Sequence, residues 1–460
     1  MKNILLGLFI ALFAVSCSNS ESENTTVPAS VENYVPVEYN GENHPDWSKN
    51  ANIYELNIRQ FSEKGDFNSI LSHLPRLQKM GVDIIWLMPI QPIGKQNRKG
   101  SLGSYYSIKD YTDVNPEYGT KEDFKVLVDS MHQLGFKVVL DWVANHSAWD
   151  NPWAAAHPDW YDQDSTGTFV SPYDWTDVIS LNYANTAMRT EMISSMKYWI
   201  TDFDVDGFRC DVAMEVPTDF WNEARLSLDS LKPVFMLAEA EDPTHHAHAF
   251  DMSYAWEFHH ISKEVAQGKQ PLSAIDTILA KENGRFKNGD YRMMFTTNHD
   301  ENSWNGTSEE RYGANLGVSN VLMFTVYGMP LIYSGQESGL DHQMRFFEKD
   351  TIQWGNFQYQ DFYTTLLALK HRNQSLWNGQ YGGAAVKINT NLPAQVYAFS
   401  RTKDTDEIVV VLNYGEATLV QLQNNPTGAY RNVFTDEIIQ LEASQRFDME
   451  AFGYLVLEKV

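Results

Sequence analysis

Short apolar segments alternate with amphipathic stretches along most of the chain from Ile53 onward. Nearly continuous apolar strands joined by helices are typical of a parallel sheet that is buried on both faces. Seven such segments cover residues 52–56, 82–90, 136–143, 205–212, 234–240, 292–300 and 330–337. A poorly marked eighth lies near residues 252–258. Eight strands favour a closed barrel over an open sheet, so we predict an α/β fold, a (β/α)8 TIM barrel.

One connecting helix can be delimited from its two ends. Thr120 followed by Asp123 is a capping-box pattern, and Gly135 is a typical helix stop. The apolar residues between them share one helical face: Phe124, Leu127, Val128, Met131 and Leu134. We therefore predict an amphipathic helix here that packs on the sheet.

Two regions depart from this alternation. Residues 145–181 are rich in Trp, Pro and Asp and lack helical periodicity, which predicts an inserted loop subdomain after strand 3, at about residues 147–179. From about Gly379 onward, short strand-like segments separated by turn residues cover 395–401, 407–414, 418–422 and 453–459. They predict a C-terminal antiparallel β domain at residues 379–460, after a barrel domain at residues 46–378.

The N-terminal segment resembles a targeting signal. The apolar run at residues 4–15 is shorter than the roughly 20 residues of a membrane-spanning helix. It is followed by Ala-Val-Ser-Cys, which resembles the bacterial lipoprotein box. We predict a signal peptide at residues 1–16, lipidation of Cys17, a flexible tether at residues 17–45, and an exported lipoprotein facing the periplasm or the cell surface. An ordinary secretory signal with an incidental cysteine is the alternative.

Composition narrows the classes of partner. The formal net charge of −25 would repel a phosphate backbone, so we expect no nucleic-acid partner, whereas neutral hydroxyl-rich ligands are compatible. The only other cysteine is Cys210, so an internal disulfide would require an unmodified Cys17. We expect Cys210 to be a small buried thiol rather than a reactive one.

Polar residues cluster where the predicted strands end. They are Asp141, Asn145 and His146 after the third strand, Arg209 and Asp211 at the fourth, Glu239 at the fifth, and Asn298, His299 and Asp300 at the seventh. A strand-end carboxylate is often only a helix cap or an ion-pair partner. However, these strand ends meet on the face where barrel enzymes place their active sites. The coincidence therefore predicts an active site.

Six segments together resemble the α-amylase family, glycoside hydrolase family 13. They are DWVANH (141–146), GFRCD (207–211), AE (238–239), TNHDEN (297–302), GMPLIYSGQE (328–337) and YYSIKDYTDVNPEYGT (105–120). The resemblance extends over residues 47–460, including the C-terminal β domain. It implies a retaining α-glycosidase that hydrolyses α-glucosidic bonds in α-glucans or maltooligosaccharides.

The resemblance also implies the catalytic roles. Asp211 matches the nucleophile, Glu239 the general acid/base and Asp300 the carboxylate that stabilises the transition state. Retention requires an ionised carboxylate and a protonated one about 5 to 5.5 Å apart. Arg209 points to the same face as Asp211 and can keep its carboxylate ionised. We expect burial and neighbouring negative charge to raise the pKa of Glu239.

Substrate contacts are implied for further residues. His146 and His299 match the histidines that hydrogen-bond sugar hydroxyls, and Arg209 belongs to the same substrate-binding group. Tyr106 matches the aromatic residue under the reacting ring, with Tyr105 as the weaker candidate. Five tryptophans either extend this platform or pack in the interior: Trp142, Trp149, Trp153, Trp160 and Trp175.

The sequence assigns no metal site. Asn145 matches a calcium ligand of many amylases, but Glu215 stands where those proteins carry a histidine. Calcium is therefore an open alternative, and no cofactor is required. The histidines at positions 245, 246, 248, 259 and 260 lack the spacing of a transition-metal motif, and we expect them on a polar helix surface.

Two other functions are compatible with the same residues. A transglycosylase or glucosyl isomerase would use the same carboxylates, with a sugar replacing water as the acceptor. A non-catalytic surface glucan-binding protein is expected to lack one of the carboxylates, and all three are present.

Overall fold

The computed structural model describes residues 44–460. The predicted signal peptide, Cys17 and most of the predicted tether lie outside these residues. The folded part includes His44, whose Nδ1 lies 2.9 Å from Asp251 Oδ1 and whose ring stacks on Tyr291. In this described part, every helix is too short or too polar to cross a membrane.

The described residues form eighteen strands and thirteen α-helices. The strands are β1 (Ile53–Leu56), β2 (Ile84–Leu87), β3 (Lys137–Trp142), β4 (His146–Ala148), β5 (Val178–Ser180), β6 (Gly207–Cys210), β7 (Phe235–Ala238), β8 (Met252–Tyr254), β9 (Tyr291–Met294), β10 (Met329–Tyr333), β11 (Ala385–Thr390), β12 (Val396–Lys403), β13 (Asp406–Asn413), β14 (Thr418–Gln423), β15 (Gly428–Asn432), β16 (Ile438–Leu441), β17 (Arg446–Met449) and β18 (Tyr454–Lys459). The helices are α1 (Ile58–Phe61), α2 (Phe67–Leu71), α3 (Leu74–Met80), α4 (Lys121–Gln133), α5 (Pro152–Ala156), α6 (Thr186–Phe203), α7 (Thr218–Asp229), α8 (Trp256–Ala266), α9 (Ser273–Arg285), α10 (His299–Asn305), α11 (Ser308–Tyr312), α12 (Leu316–Thr325) and α13 (Gln360–Arg372).

Eight parallel strands close into a barrel, as the sequence predicts. Their order around it is β1, β10, β9, β8, β7, β6, β3 and β2. The weakly marked eighth strand is β8, which pairs with both β7 and β9. The predicted helix is α4, whose capping box between Thr120 and Asp123 is present.

The barrel strands are buried on both faces, which explains their nearly continuous apolar sequences. One hydrophobic cluster fills the interior with residues such as Trp86, Val139 and Leu237. Their neighbours in sequence, including Ile85 and Leu140, belong to the cluster beneath the surrounding helices. Gly207 allows β6 to approach β7, because a Cβ there would lie 1.9 Å from the Phe235 carbonyl oxygen.

The insertion after β3 contains the antiparallel hairpin of β4 and β5, together with α5. The C-terminal antiparallel sheet follows the order β16, β15, β18, β13, β12, β11, β14 and β17. Alternate residues of its strands face opposite ways. Val409 and Val411 belong to a cluster of its own, whereas Val410 and Leu412 belong to the cluster that includes the barrel helices. The sheet therefore packs one face on the barrel.

Candidate active site

A cavity of about 300 Å³ lies at the carboxyl ends of the barrel strands. Six of the residues predicted for catalysis or substrate binding line it: Tyr106, His146, Asp211, Glu239, His299 and Asp300. The seventh, Arg209, is fully buried and contacts two of the carboxylates in this wall. The fold therefore brings together side chains from five separate segments, four of which follow barrel strands as the strand-end argument predicts.

Arg209 organises the acidic side chains. Alternation along β6 directs it into the barrel, where its Nη1 lies 2.9 Å from Asp141 Oδ1 and 2.9 Å from Asp211 Oδ1. Its Nη2 lies 2.8 Å from Glu239 Oε2. One guanidinium thus contacts carboxylates from three neighbouring strands. The sequence predicted the contact with Asp211 and left open a further structural salt bridge of Arg209 within the barrel.

Burial dominates the ionisation of these carboxyl groups. It raises the pKa of Asp211 and of Glu239 above their ordinary values, although the adjacent Arg209 opposes the shift in both cases. Nearby Asp211 also contributes to the raised pKa of Glu239. Burial likewise raises the pKa of Asp141, to about 7. The expected effect of Arg209 on Asp211 is therefore present, but burial outweighs it.

The residue after Asp211 has a strained backbone. Val212 adopts φ of 35° and ψ of 49°, in the left-handed region that β-branched residues rarely occupy. In this conformation its N–H donates a 2.8 Å hydrogen bond to Glu239 Oε2. Such strain persists where the surrounding structure imposes it, and it often occurs at active sites. Its apolar side chain gives no sequence signal for this turn.

His299 is held between carboxylates. Its Nδ1 lies 2.5 Å from Oε1 of the fully buried Glu55, at the end of β1, and its Nε2 lies 3.3 Å from Asp300 Oδ2. Nε2 also lies 2.7 Å from the Tyr106 hydroxyl. Burial by itself lowers the pKa of His299, but Asp300 and Glu55 outweigh it and raise this pKa to about 9. His299 is therefore an imidazolium at neutral pH.

Glu55 was not found by sequence reasoning. An acidic residue within an otherwise apolar predicted strand was the only available signal. Its partner in space is 244 positions away along the chain.

His146 has the opposite protonation state. It begins β4, and its ring meets Trp175 edge-on at 5.5 Å between ring centroids. Burial lowers the pKa of His146 to about 4, so it is a neutral imidazole at physiological pH. The two predicted sugar-binding histidines therefore differ in charge.

The aromatic residues separate into cavity and core. Tyr106 lines the cavity, whereas the buried Tyr105 lies under Arg59 and accepts a hydrogen bond from Gln60. Of the five tryptophans that the sequence singled out, Trp175 lines the cavity. Trp142 is buried against Phe208, and Trp153 packs on Tyr111 and Trp160. Sequence reasoning missed three further aromatic residues in the cavity wall: Trp304, Phe346 and Phe347.

The two positions that bear on calcium binding, Asn145 and Glu215, each contact a neighbouring side chain. Asn145 Nδ2 lies 3.2 Å from His146 Nδ1, and the Glu215 carboxylate accepts a hydrogen bond from Tyr173. Among residues 44–460, one group of at least three His, Cys, Asp or Glu side chains has converging ligand atoms: His259, His260 and Glu301. Lys263 Nζ and Arg311 Nε lie 3.6 and 3.3 Å from Glu301 Oε2. These two cations compete with a metal ion at that carboxylate.

The expectation of a polar helix surface is wrong for several histidines. His245 and His259 are buried, and the side chain of His246 is 2% exposed. His259 stacks on Phe295 and lies 3.1 Å from Glu301. Aromatic packing and buried partners therefore explain these positions, and neither is visible in the local pattern of polar residues.

Comparisons with known proteins agree on one family. The family model described as "Alpha amylase, catalytic domain" matches residues 13–170 and 155–375. "Alpha-amylase MalA" of Haloarcula japonica is 29% identical over 403 residues, 84% of this chain. The match covers 58% of that protein, so this chain spans less than two thirds of its length. The crystal structure of a noncanonic maltogenic α-amylase, AmyB from Thermotoga neapolitana, superimposes with a TM-score of 0.81. It is 32% identical, and the match covers 90% of this chain and 99% of that one.

The prediction of an exported lipoprotein is contradicted by a further relative. A Bacillus subtilis protein named "Intracellular maltogenic amylase" is 27% identical over 387 residues, which cover 76% of this chain and 62% of that protein. The prediction depended on the apolar run at residues 4–15 and on Cys17. A short apolar run of this kind is also typical of buried core helices, so by itself it is weak support for export.

Proposed function

The chain belongs to the α-amylase family of glycoside hydrolases, and from that premise we propose that it is a retaining α-glycosidase acting on α-glucans or maltooligosaccharides. One observation carries the proposal: Asp211, Glu239 and Asp300 come from three separate strand ends and line a single cavity. Two carboxyl groups flanking one glycosidic bond are the minimum requirement for hydrolysis with retention.

In the first step, Asp211 attacks the anomeric carbon while Glu239 donates its proton to the departing glycosidic oxygen. The C–O bond to the leaving sugar breaks, and a glycosyl ester to Asp211 forms. Contact of both carboxylates with one guanidinium supports a short separation between them. The raised pKa of Glu239 supports its role as the acid, because this carboxyl stays protonated to a higher pH than usual.

In the second step, Glu239 accepts a proton from water, and the resulting oxygen nucleophile displaces Asp211 from the anomeric carbon. Glu239 returns to its protonated form and Asp211 to its carboxylate. The Val212 N–H and Arg209 hold Glu239 Oε2 in place throughout. Arg209 also remains beside Asp211, where it stabilises the returning negative charge.

The remaining polar residues bind the sugar at the reacting centre. His146 and His299 contact sugar hydroxyls from the cavity wall, and Asp300 stabilises the positive charge that develops on the sugar ring. Tyr106 offers an aromatic face in the cavity wall and is fixed by its hydroxyl, which donates a 3.1 Å hydrogen bond to Asp141.

Substitution of the two principal carboxylates tests this assignment. Asp211→Asn and Glu239→Gln should each lower kcat on maltotriose by at least about a thousandfold, because each removes a chemical step. With an α-maltosyl fluoride, whose leaving group needs no proton, Glu239→Ala should still form the glycosyl ester on Asp211, and azide should then displace Asp211 to give a glycosyl azide, since azide needs no general base. Asp129→Asn, on α4 with a side chain that is 47% exposed, is the control. Near-normal turnover by Asp211→Asn would refute the mechanism.

Transglycosylation is the alternative outcome of the same chemistry: the glycosyl group on Asp211 passes to a second sugar instead of to water. Trp304 is 54% exposed and, with Phe346 and Phe347, forms an aromatic part of the cavity wall that could hold an acceptor sugar. Product analysis with maltotriose separates the two. Hydrolysis predicts mainly glucose and maltose, whereas products longer than maltotriose in excess would establish a transglycosylase.

A further inference from the structure

A second cavity lies beside the catalytic one and is larger, at about 560 Å³. It is bounded by α11, α12 and α13 and by Tyr454 at the start of β18. None of the three proposed catalytic carboxylates lines it. We propose that this cavity is a second binding site for a neutral oligosaccharide, separate from the catalytic cavity.

The wall of this cavity offers aromatic surface. Tyr359, Phe362, Tyr363 and Tyr454 all line it, and Tyr359 is 39% exposed. Phe362 and Tyr454 are fixed by contacts with Phe434, at ring-centroid distances of 5.7 and 5.1 Å. Fixed aromatic faces suit the apolar faces of sugar rings, because little side-chain entropy is lost on binding.

The interior of the cavity supplies hydrogen-bonding groups. Gln336 Nε2 donates to the Tyr363 hydroxyl at 3.2 Å, which orients both groups at the cavity wall. Asn320 Oδ1 accepts a 2.7 Å hydrogen bond from Thr296 Oγ1. Within residues 44–460, Asn320 Nδ2 has no hydrogen-bond partner in the chain, so it is available to a ligand hydroxyl.

The charge of the lining indicates a neutral ligand. Glu309 is the only Asp, Glu, Lys, Arg or His among the lining residues of the described chain. Phosphorylated or otherwise anionic ligands would meet no cation there. A compact cation would find a single carboxylate, fewer ligands than the six to eight oxygens of a typical Ca²⁺ site. Aromatic faces with amide and hydroxyl groups are the combination that recognises an uncharged polyol.

The absence of a side chain at position 317 keeps the cavity open. Gly317 is in the first turn of α12, and a Cβ there would be 3.4 Å from the Tyr454 ring, an ordinary contact. A larger side chain at this position would therefore enter the cavity without a backbone clash. This makes position 317 suitable for a blocking substitution.

The two cavities share a structural boundary. Asn302, which lines the second cavity, accepts a 2.9 Å hydrogen bond from the Met344 N–H and donates to the His342 carbonyl. The same loop continues to Phe346 and Phe347 in the wall of the catalytic cavity. A glucan chain held in the second cavity would raise the local concentration of further segments near the catalytic one.

Calorimetric titration with maltohexaose tests the proposal. The choice of this probe rests on the proposed function, in which the protein acts on α-glucans. The Asp211→Asn protein, which should not consume the probe, is expected to show two binding events per chain. Tyr359→Ala or Gly317→Leu in that background should abolish one event or weaken it at least tenfold. Tyr359→Phe, which keeps the ring, should retain both.

Two outcomes would overturn the second site: a single binding event in the Asp211→Asn protein, or two events with unchanged affinities in both Tyr359→Ala and Gly317→Leu. Thermal unfolding identifies a variant that fails to fold. The binding result of the other variant, Tyr359→Ala or Gly317→Leu, then tests the second site. Failure of the proposed function is distinguishable, because it would appear as no hydrolysis by the wild-type protein while both binding events persist.

Discussion

At the residue scale, the two histidines of the cavity differ in charge because their neighbours differ. His299 is cationic beside Glu55 and Asp300, whereas His146 is neutral because burial dominates. We therefore propose that Glu55 is a positioning residue that acts on the substrate through His299. It also fixes the ring orientation by its contact with Nδ1.

Replacing Glu55 should change the pH dependence of catalysis. Glu55→Gln removes the negative charge beside Nδ1, so the pKa of His299 should fall from its value of about 9. The imidazolium is present below its pKa and is lost as pH rises through it. The basic limb of kcat/KM against pH should therefore move to lower pH, with an activity loss of about tenfold or more at pH 9.

A merely structural role for Glu55 predicts a different result. It would lower kcat/KM by a similar factor at every pH, with the limb unmoved. Glu55→Asp, which keeps the charge, is the matched variant and should partly restore the wild-type profile.

Trp304 is predicted to contribute binding rather than stability. Its side chain packs against Phe346 at 5.1 Å between ring centroids and is more than half exposed. Trp304→Ala should raise KM for maltohexaose by about five- to tenfold, the worth of one aromatic contact of about 1 kcal/mol. The unfolding temperature should change little, because little buried surface is lost. An equal KM for wild type and variant on all chain lengths would exclude a role in substrate binding.

At the element scale, the proposed catalytic residues lie in the turns that follow the barrel strands, and the geometry of these turns is not periodic. The sequence predicted a strand through residues 205–212, but β6 ends at Cys210 and the chain turns at Val212. Valine has a high strand propensity, so residue 212 does not predict the observed left-handed turn. In the observed turn, its N–H reaches Glu239 Oε2.

Relieving this strain should separate stability from activity. Val212→Gly removes a backbone strain that costs the folded state about 1 to 3 kcal/mol. Glycine also has more conformational freedom in the unfolded chain, which lowers the free energy of unfolding by up to about 1 kcal/mol. We expect equal or higher free energy of unfolding in denaturant and about tenfold lower kcat, because Glu239 loses a fixed donor. Lower stability with unchanged kcat would show that the turn has no catalytic role.

At the scale of the whole molecule, the barrel and the C-terminal sheet share a hydrophobic cluster. Val410 of β13 and Val456 of β18 belong to the same cluster as the residues of the barrel helices. Polar contacts cross the same junction, including a 2.8 Å hydrogen bond from the Tyr397 hydroxyl to Asp276. The two parts should therefore unfold together.

A buried charge at this junction tests that coupling. Val410→Asp places an ionisable group at a fully buried position, which should cost several kcal/mol and lower the unfolding temperature. Activity should be lost in the same transition, although position 410 does not line the catalytic cavity. Leu419→Asp, on the exposed side of β14, is the control and should unfold near the wild-type temperature. Two transitions, with activity surviving the first, would show independent domains.

Much of the architecture was predictable because its signals are local. Each of these signals extends over only a few residues: the continuous apolar strands, the cap at Thr120 and the alternation along β6. A closed barrel then buries the eight strands on both faces. The motifs around Asp211, Glu239 and Asp300 also predicted which residues would line one cavity. The N-terminal pattern was local as well, but a short apolar run does not by itself specify export, and the export prediction failed.

The sequence by itself thus determined the strands, the barrel class and the candidate catalytic carboxylates. Tertiary structure alone decided the charge of His299, the strained turn at Val212 and the three-way contact of Arg209. The physical reason is that a pKa and a backbone strain depend on burial and on partners such as Glu55, which lies 244 positions from His299. Residues so far apart in the sequence come into contact only when the barrel closes.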